Sequence, residues 1–174
     1  MDWIDTLFQV IDLRSFSNLW FWIALAVLWS SASYWVLGIP YDIIQRAGRQ
    51  GGQAEADLRD VVRVNVNRIL YIVRTSGLVL AGVVVFALTT LAVLAFWYDV
   101  EFAQALFLLG LPGSIVGLLS IATARAIEAE DPETPQLIKR LMRHRFWTQV
   151  VGMLSIFVTA MYGMYQNLDY RFIY

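Results

Sequence analysis

The chain has 174 residues, of which 59% are hydrophobic and only 16% charged, with a net charge of −1. A soluble domain carries about 25% charged residues and could not cover so much apolar surface with so few. The composition therefore points to one all-α membrane domain over 1–174, with no general attraction to nucleic acid. With no cysteine and a single histidine, His144, disulfides and thiolate-held clusters are excluded, and neither a metal nor another cofactor is expected.

The chain begins Met1-Asp2-Trp3-Ile4-Asp5. It lacks the cationic start of a cleavable signal peptide, so this segment is expected to be retained. Over residues 1–14 the pattern is amphipathic. Trp3, Ile4, Leu7, Phe8 and Ile11 share one helical face, and Asp2, Asp5, Thr6, Gln9 and Asp12 the other. This predicts a helix lying in the membrane interface or docking on a protein partner through its apolar face. Residues 14–18 then turn the chain, with Ser17 or Asn18 as helix cap.

A hydrocarbon core of about 30 Å needs about 20 apolar residues in helix. Four segments without a charged residue qualify, at about 19–39, 77–97, 103–123 and 147–165. They predict a four-transmembrane-helix bundle. The connection at 40–76 starts with a glycine-bearing loop, Arg46 to Asp57, with Gly48, Gly51 and Gly52. Leu58, Val62, Val66, Ile69 and Val73 then recur at helical spacing. The run Val62 to Asn67 also alternates like a strand, but a lone strand would have no sheet to join, so helix is the preferred reading.

In the third span, Gly110-Leu111-Pro112-Gly113 followed by Gly117 suggests a kinked helix with a close-packing GxxxG face. The connection at 124–146 carries Glu128, Glu130, Asp131 and Glu133. Thr134 follows as a cap with Pro135 at the first helical position. Lys139, Arg140, Arg143 and Arg145 come next, a basic group suited to lipid headgroups or an acidic partner. On the fourth span Ser155, Thr159 and Gly163, four apart, predict a second packing face.

Six of the thirteen Lys and Arg residues lie between the first and second spans and five between the third and fourth. The positive-inside rule puts those connections in the cytoplasm and both termini outside, as in a multi-pass protein of a bacterial inner membrane. Aromatic belts agree with that orientation. Trp20, Trp22, Trp97, Tyr98, Tyr162 and Tyr165 mark the outer boundary, and Trp35, Tyr41, Tyr71 and Trp147 the inner one.

Chemistry is sparse. No ionisable group lies within a span, which argues against a pump or ion carrier. His144 has no carboxylate placed to orient it, and its basic neighbours favour its neutral form. Gly51-Gly52 lacks the lysine and strand of a phosphate loop. No catalytic residue is expected.

The stretches VIDLRSFSNLWFWIALAVLWSSASYWVLG (10–38), VNVNRILYIVRTSG (64–77), EFAQALFLL (101–109) and SIFVTAMYGMYQNL (155–168) resemble a family of small alphaproteobacterial membrane proteins labelled "component of SufBCD complex". The resemblance covers most of the chain and contains no defined catalytic motif. It implies contact with iron–sulfur assembly machinery through the cytoplasmic connections.

The sequence thus predicts a non-catalytic accessory subunit, assembly factor or anchor. Its protein partner or second copy would bind through helix faces around Gly110, Pro112, Gly113, Gly117, Ser155, Thr159 and Gly163. The alternatives are a transporter or channel for a neutral solute built on a broken third helix, and a membrane enzyme of unknown class.

Overall fold

The computed structural model describes residue 16 and residues 18–173; beyond residue 166 the only side chain described is that of Leu168. The amphipathic segment expected at 1–14 lies outside these residues. The described fold contains α1 (Leu19–Tyr34), β1 (Trp35–Val36), β2 (Ile39–Pro40), α2 (Tyr41–Gln50), α3 (Gln53–Phe96), α4 (Glu101–Glu130) and α5 (Thr134–Ile173). Of these helices, α3, α4 and α5 are long and apolar enough to cross a membrane.

The first apolar segment departs from its expected course. Helix α1 has 16 residues, about 24 Å at 1.5 Å per residue, and stops at Tyr34 instead of continuing to Ile39. Trp35 to Pro40 form a two-residue hairpin, pairing Trp35 with Pro40 and Val36 with Ile39. The turn residues Leu37 and Gly38 both have positive φ, 54° and 77°, as the tight antiparallel turn requires. A Cβ at Gly38 would also lie 3.2 Å from the Asn65 side chain. The unfavourable backbone of Leu37 is offset by burial: Val36, Leu37 and Ile39 all enter the core. Apolar content alone suggested a longer span; these residues are apolar because they fill a core, not because they face lipid.

At the start of α1 the Asn18 side chain accepts a hydrogen bond from the Trp20 amide, 3.0 Å, which makes Asn18 the cap. At α5 the expected cap moves by one position. The Glu133 carbonyl already accepts from the Leu137 amide, so Thr134 is the first helical residue rather than the cap.

The glycine-bearing region at 46–57 is mostly helical. Helix α2 runs to Gln50, and only Gly51 and Gly52, both with positive φ, separate it from α3. Helix α3 continues for 44 residues, about 66 Å, so the strand alternative at Val62–Asn67 is not adopted. Its first half presents Leu58, Val62, Val66 and Leu70 along one buried stripe. Against that stripe pack the hairpin, Ile44 and Ala47 of α2, Ala124 and Ile127 of α4, and Leu137 and Leu141 of α5. The core therefore lies at the charged end of the molecule, beyond the apolar segments.

The long helices pack in sequence as antiparallel neighbours, α3 on α4 and α4 on α5, and α1 packs on α5. Helix α5 is two-faced along its length. His144, Thr148, Gly152, Ser155, Thr159 and Gly163 are buried on one side, while Trp147, Leu154, Phe157 and Met161 are exposed on the other. Exposed apolar surface is normal where lipid is the solvent.

The division between core and lipid face is testable. Leu141 is fully buried (0% exposed) and Leu78 is 89% exposed. Leu141→Ala should cost about 2–5 kcal/mol of stability, and Leu78→Ala less than about 0.5 kcal/mol, measured by thermal unfolding in mild detergent.

Candidate functional site

The charged end carries a cleft of about 380 Å³ between the first half of α3, the end of α4, the 131–133 turn and the start of α5. Its floor is apolar, made by Val62, Val66, Ile127 and Leu137. Its rim carries Arg59, Asp60, Arg63, Asn67, Glu128 and Asp131. Leu58 and Val62 hold this part of α3 against the core, so residues one turn apart on the opposite edge, Arg59 and Arg63, face outward at the rim. Asp131 closes α4 in a left-handed conformation, φ 36°, with its amide bonded to the Ile127 carbonyl.

Ion pairs line the rim, some across it and one within α3. Arg59 meets Asp131 at 3.3 Å, Arg63 meets Asp60 at 3.0 Å, and Arg74 meets Glu128 at 2.7 Å just beyond. All are solvent-exposed, so each contributes on the order of 0.2–1 kcal/mol and opens readily to a competing charge. The combination of rigid apolar floor and exchangeable polar rim suits insertion of an apolar side chain flanked by polar groups. Among the described residues, no group of His, Asp and Glu is arranged to hold a metal ion.

The basic group expected on α5 divides into two pairs. Arg140 bonds Glu130 at the end of α4, and its side chain is only 17% exposed. Arg145 donates through Nε to the Ser33 carbonyl at 3.0 Å and lies 3.6 Å over the Tyr41 ring. Ser33 is in the last turn of α1, where carbonyls lack intrahelical partners, so a cation there satisfies both hydrogen bonding and the helix dipole. Arg140 and Arg145 are thus internal clamps, whereas Lys139 and Arg143 remain exposed.

The expected helix-packing residues also separate. Gly110 meets Leu88 of α3, whereas a Cβ at Gly113 or Gly117 would find no atom within 4 Å. Among the described residues the GxxxG face therefore makes no close contact. Helix α4 is unbroken through Pro112. Proline cannot donate to the carbonyl four residues earlier, that of Leu108. The Ser155 hydroxyl of α5 donates to that carbonyl at 3.4 Å. Thr159 is buried as well, with its hydroxyl unpartnered. Gly163 admits Phe16, whose ring would stand 3.0 Å from an added Cβ.

Three features have no counterpart in the sequence reading. At Gly152 an added Cβ would stand 2.8 Å from the Trp29 ring, so α1 packs there against the bare backbone of α5. Its signal was available: Gly152, Ser155, Thr159 and Gly163 form one small-residue stripe at helical spacing. At the opposite end, Gln104 Nε2 donates to the Ala95 carbonyl at 2.9 Å and Asp99 at 2.7 Å, and Gln166 donates to Gln104 at 2.8 Å. This joins the ends of α3, α4 and α5. The cleft had no signal, since its residues are far apart in sequence.

His144 is 5% exposed, between α4 and α5. Ser120 uses its hydroxyl hydrogen on the Val116 carbonyl, 2.9 Å. His144 Nε2, 3.1 Å from Ser120 Oγ, is therefore assigned as the donor. Nδ1 is then a buried lone pair without a partner. Burial lowers the imidazole pKa from 6.5; removal from water, rather than repulsion by the neighbouring arginines, is the cause.

No family model, curated protein or solved structure matches this chain.

Two outcomes follow. Ser155→Ala should destabilise the protein by about 0.5–1.7 kcal/mol. In a Pro112→Ala background the loss should shrink, because the alanine amide itself donates to the Leu108 carbonyl; a double-mutant cycle of thermal unfolding reads the difference. For His144 the folded pKa is below the unfolded 6.5. As pH drops through that window the unfolded chain binds a proton first, so stability falls and the loss levels off below the folded pKa. Melting curves between neutral and acid pH should show this slope, and His144→Gln should flatten it.

Proposed function

We propose that the chain is a non-catalytic membrane anchor. It would act as accessory subunit or assembly factor by holding a rigid platform at the membrane surface for a protein partner. The observation that carries this reading is the preformed cleft on a packed core outside the apolar segments. Helix α3 runs without interruption from that platform through its apolar half, so a load on the cleft is transmitted to the anchor by one rigid element.

The finer membrane arrangement belongs to the same proposal: four spans in a bacterial inner membrane, with α1 as the first, and 1–14 as an interfacial helix. The platform faces the cytoplasm and both termini face outward. The basic connections support this orientation. The sequence resemblance suggests that the partner belongs to iron–sulfur assembly machinery. The outward GxxxG face of α4, at Gly113 and Gly117, is open to a second helix in the membrane.

The absence of cysteine makes a single probe site simple to introduce. In Asn67→Cys, a membrane-impermeant maleimide should label inverted vesicles and spare intact cells. A thiol-linked photo-crosslinker at the same site should capture an iron–sulfur assembly protein, with yield falling about tenfold on Arg63→Glu and little on Gly113→Leu. Equal yields with and without Arg63→Glu would sink the docking reading, and labelling of intact cells would reverse the orientation.

A further inference from the structure

Among the described residues of α5, Lys139 and Arg143 are exposed cations with neither an ion pair nor a side-chain hydrogen bond, whereas Arg140 is ion-paired and Arg145 is bonded to the Ser33 carbonyl of α1. At 100° per residue, Lys139, Arg143, Trp147, Leu154, Phe157, Val158 and Met161 lie within one sector about 100° wide. All are exposed. The opposite sector holds the residues buried against α4 and α1. Along the outer sector the order is two cations, then an aromatic residue at the boundary, then apolar side chains running into the membrane-length part of the helix. Arg143 to Trp147 covers about 6 Å and Trp147 to Phe157 about 15 Å, the depths of one interfacial layer and of one leaflet's half of a hydrocarbon core of about 30 Å.

We propose that this face of α5 is a binding site for an anionic phospholipid. The phosphate lies between Lys139 and Arg143, the glycerol region lies at Trp147, and an acyl chain follows Leu154 and Phe157. Charge complementarity selects an anionic headgroup, and the apolar continuation selects a lipid over an acidic protein segment. This rests on membrane residence but not on the docking cleft, and Arg63→Glu should leave lipid binding unchanged.

The test uses the full chain purified in mild detergent and titrated with dioleoyl phosphatidylglycerol or dioleoyl phosphatidylcholine. Retained lipid is counted by native mass spectrometry. Phosphatidylglycerol should be retained over phosphatidylcholine. The double substitution Lys139→Gln with Arg143→Gln should lower its retention about tenfold or more, and Lys139→Arg with Arg143→Lys should preserve it. Arg68→Gln, which removes an exposed charge from α3 instead, should have little effect. Equal retention of the two lipids, or an equal loss on Arg68→Gln, would overturn the site. So would a double variant that keeps its phosphatidylglycerol while losing an acidic protein partner.

Discussion

In hydrocarbon a backbone carbonyl without a donor costs several kcal/mol, and Pro112 leaves one at Leu108. The hydroxyl of Ser155 supplies the missing donor from the neighbouring helix. That contact belongs to a consistent antiparallel register: Ser155 opposite Leu108, His144 opposite Ser120, and Leu137 beside Ile127 in the core. A one-turn slip would expose the Leu108 carbonyl and separate His144 from Ser120 together. The α4–α5 pair is fixed by these polar contacts more than by its side-chain shape, because lipid-facing apolar residues exert little force toward one register.

Once α5 is fixed, α1 is fixed with it. Gly152 receives the Trp29 ring, Gly163 receives Phe16, and Arg145 reaches the Ser33 carbonyl. These contacts lie at the two ends and the middle of one interface, so α1 is held along its length although it is shorter than its neighbours. Holding the end of α1 also holds the hairpin, whose apolar residues close the core under α2. The long apolar helices and the packed core at the charged end therefore form one continuous unit.

The same division explains why the basic residues of α5 differ in role. Each turn of the helix offers one side to protein and one to its surroundings. Arg140 and Arg145 emerge where α4 and α1 end, next to carbonyls or carboxylates that need a cation. Lys139 and Arg143 find none. Charge alone does not separate these pairs; the neighbouring helix end within reach of each side chain does.

The sequence by itself determined the helical class and the three long apolar helices, because a bilayer-length run of uncharged residues has few other uses. It favoured the helical stripe Leu58, Val62 and Val66 over a strand at 62–67, because a lone strand would have no sheet to join. It did not determine where α1 ends. Val36 and Ile39 are as apolar as lipid-facing residues, and only the packed hairpin separates the two environments. Nor did it determine the roles of Gly152, Gly113 or Gly117. A glycine signals that close approach is possible, but the neighbour that uses it comes from another helix. The cleft is the clearest case: Arg63, Glu128 and Leu137 become one site only through the α3–α4–α5 register, which depends on contacts between residues remote in sequence.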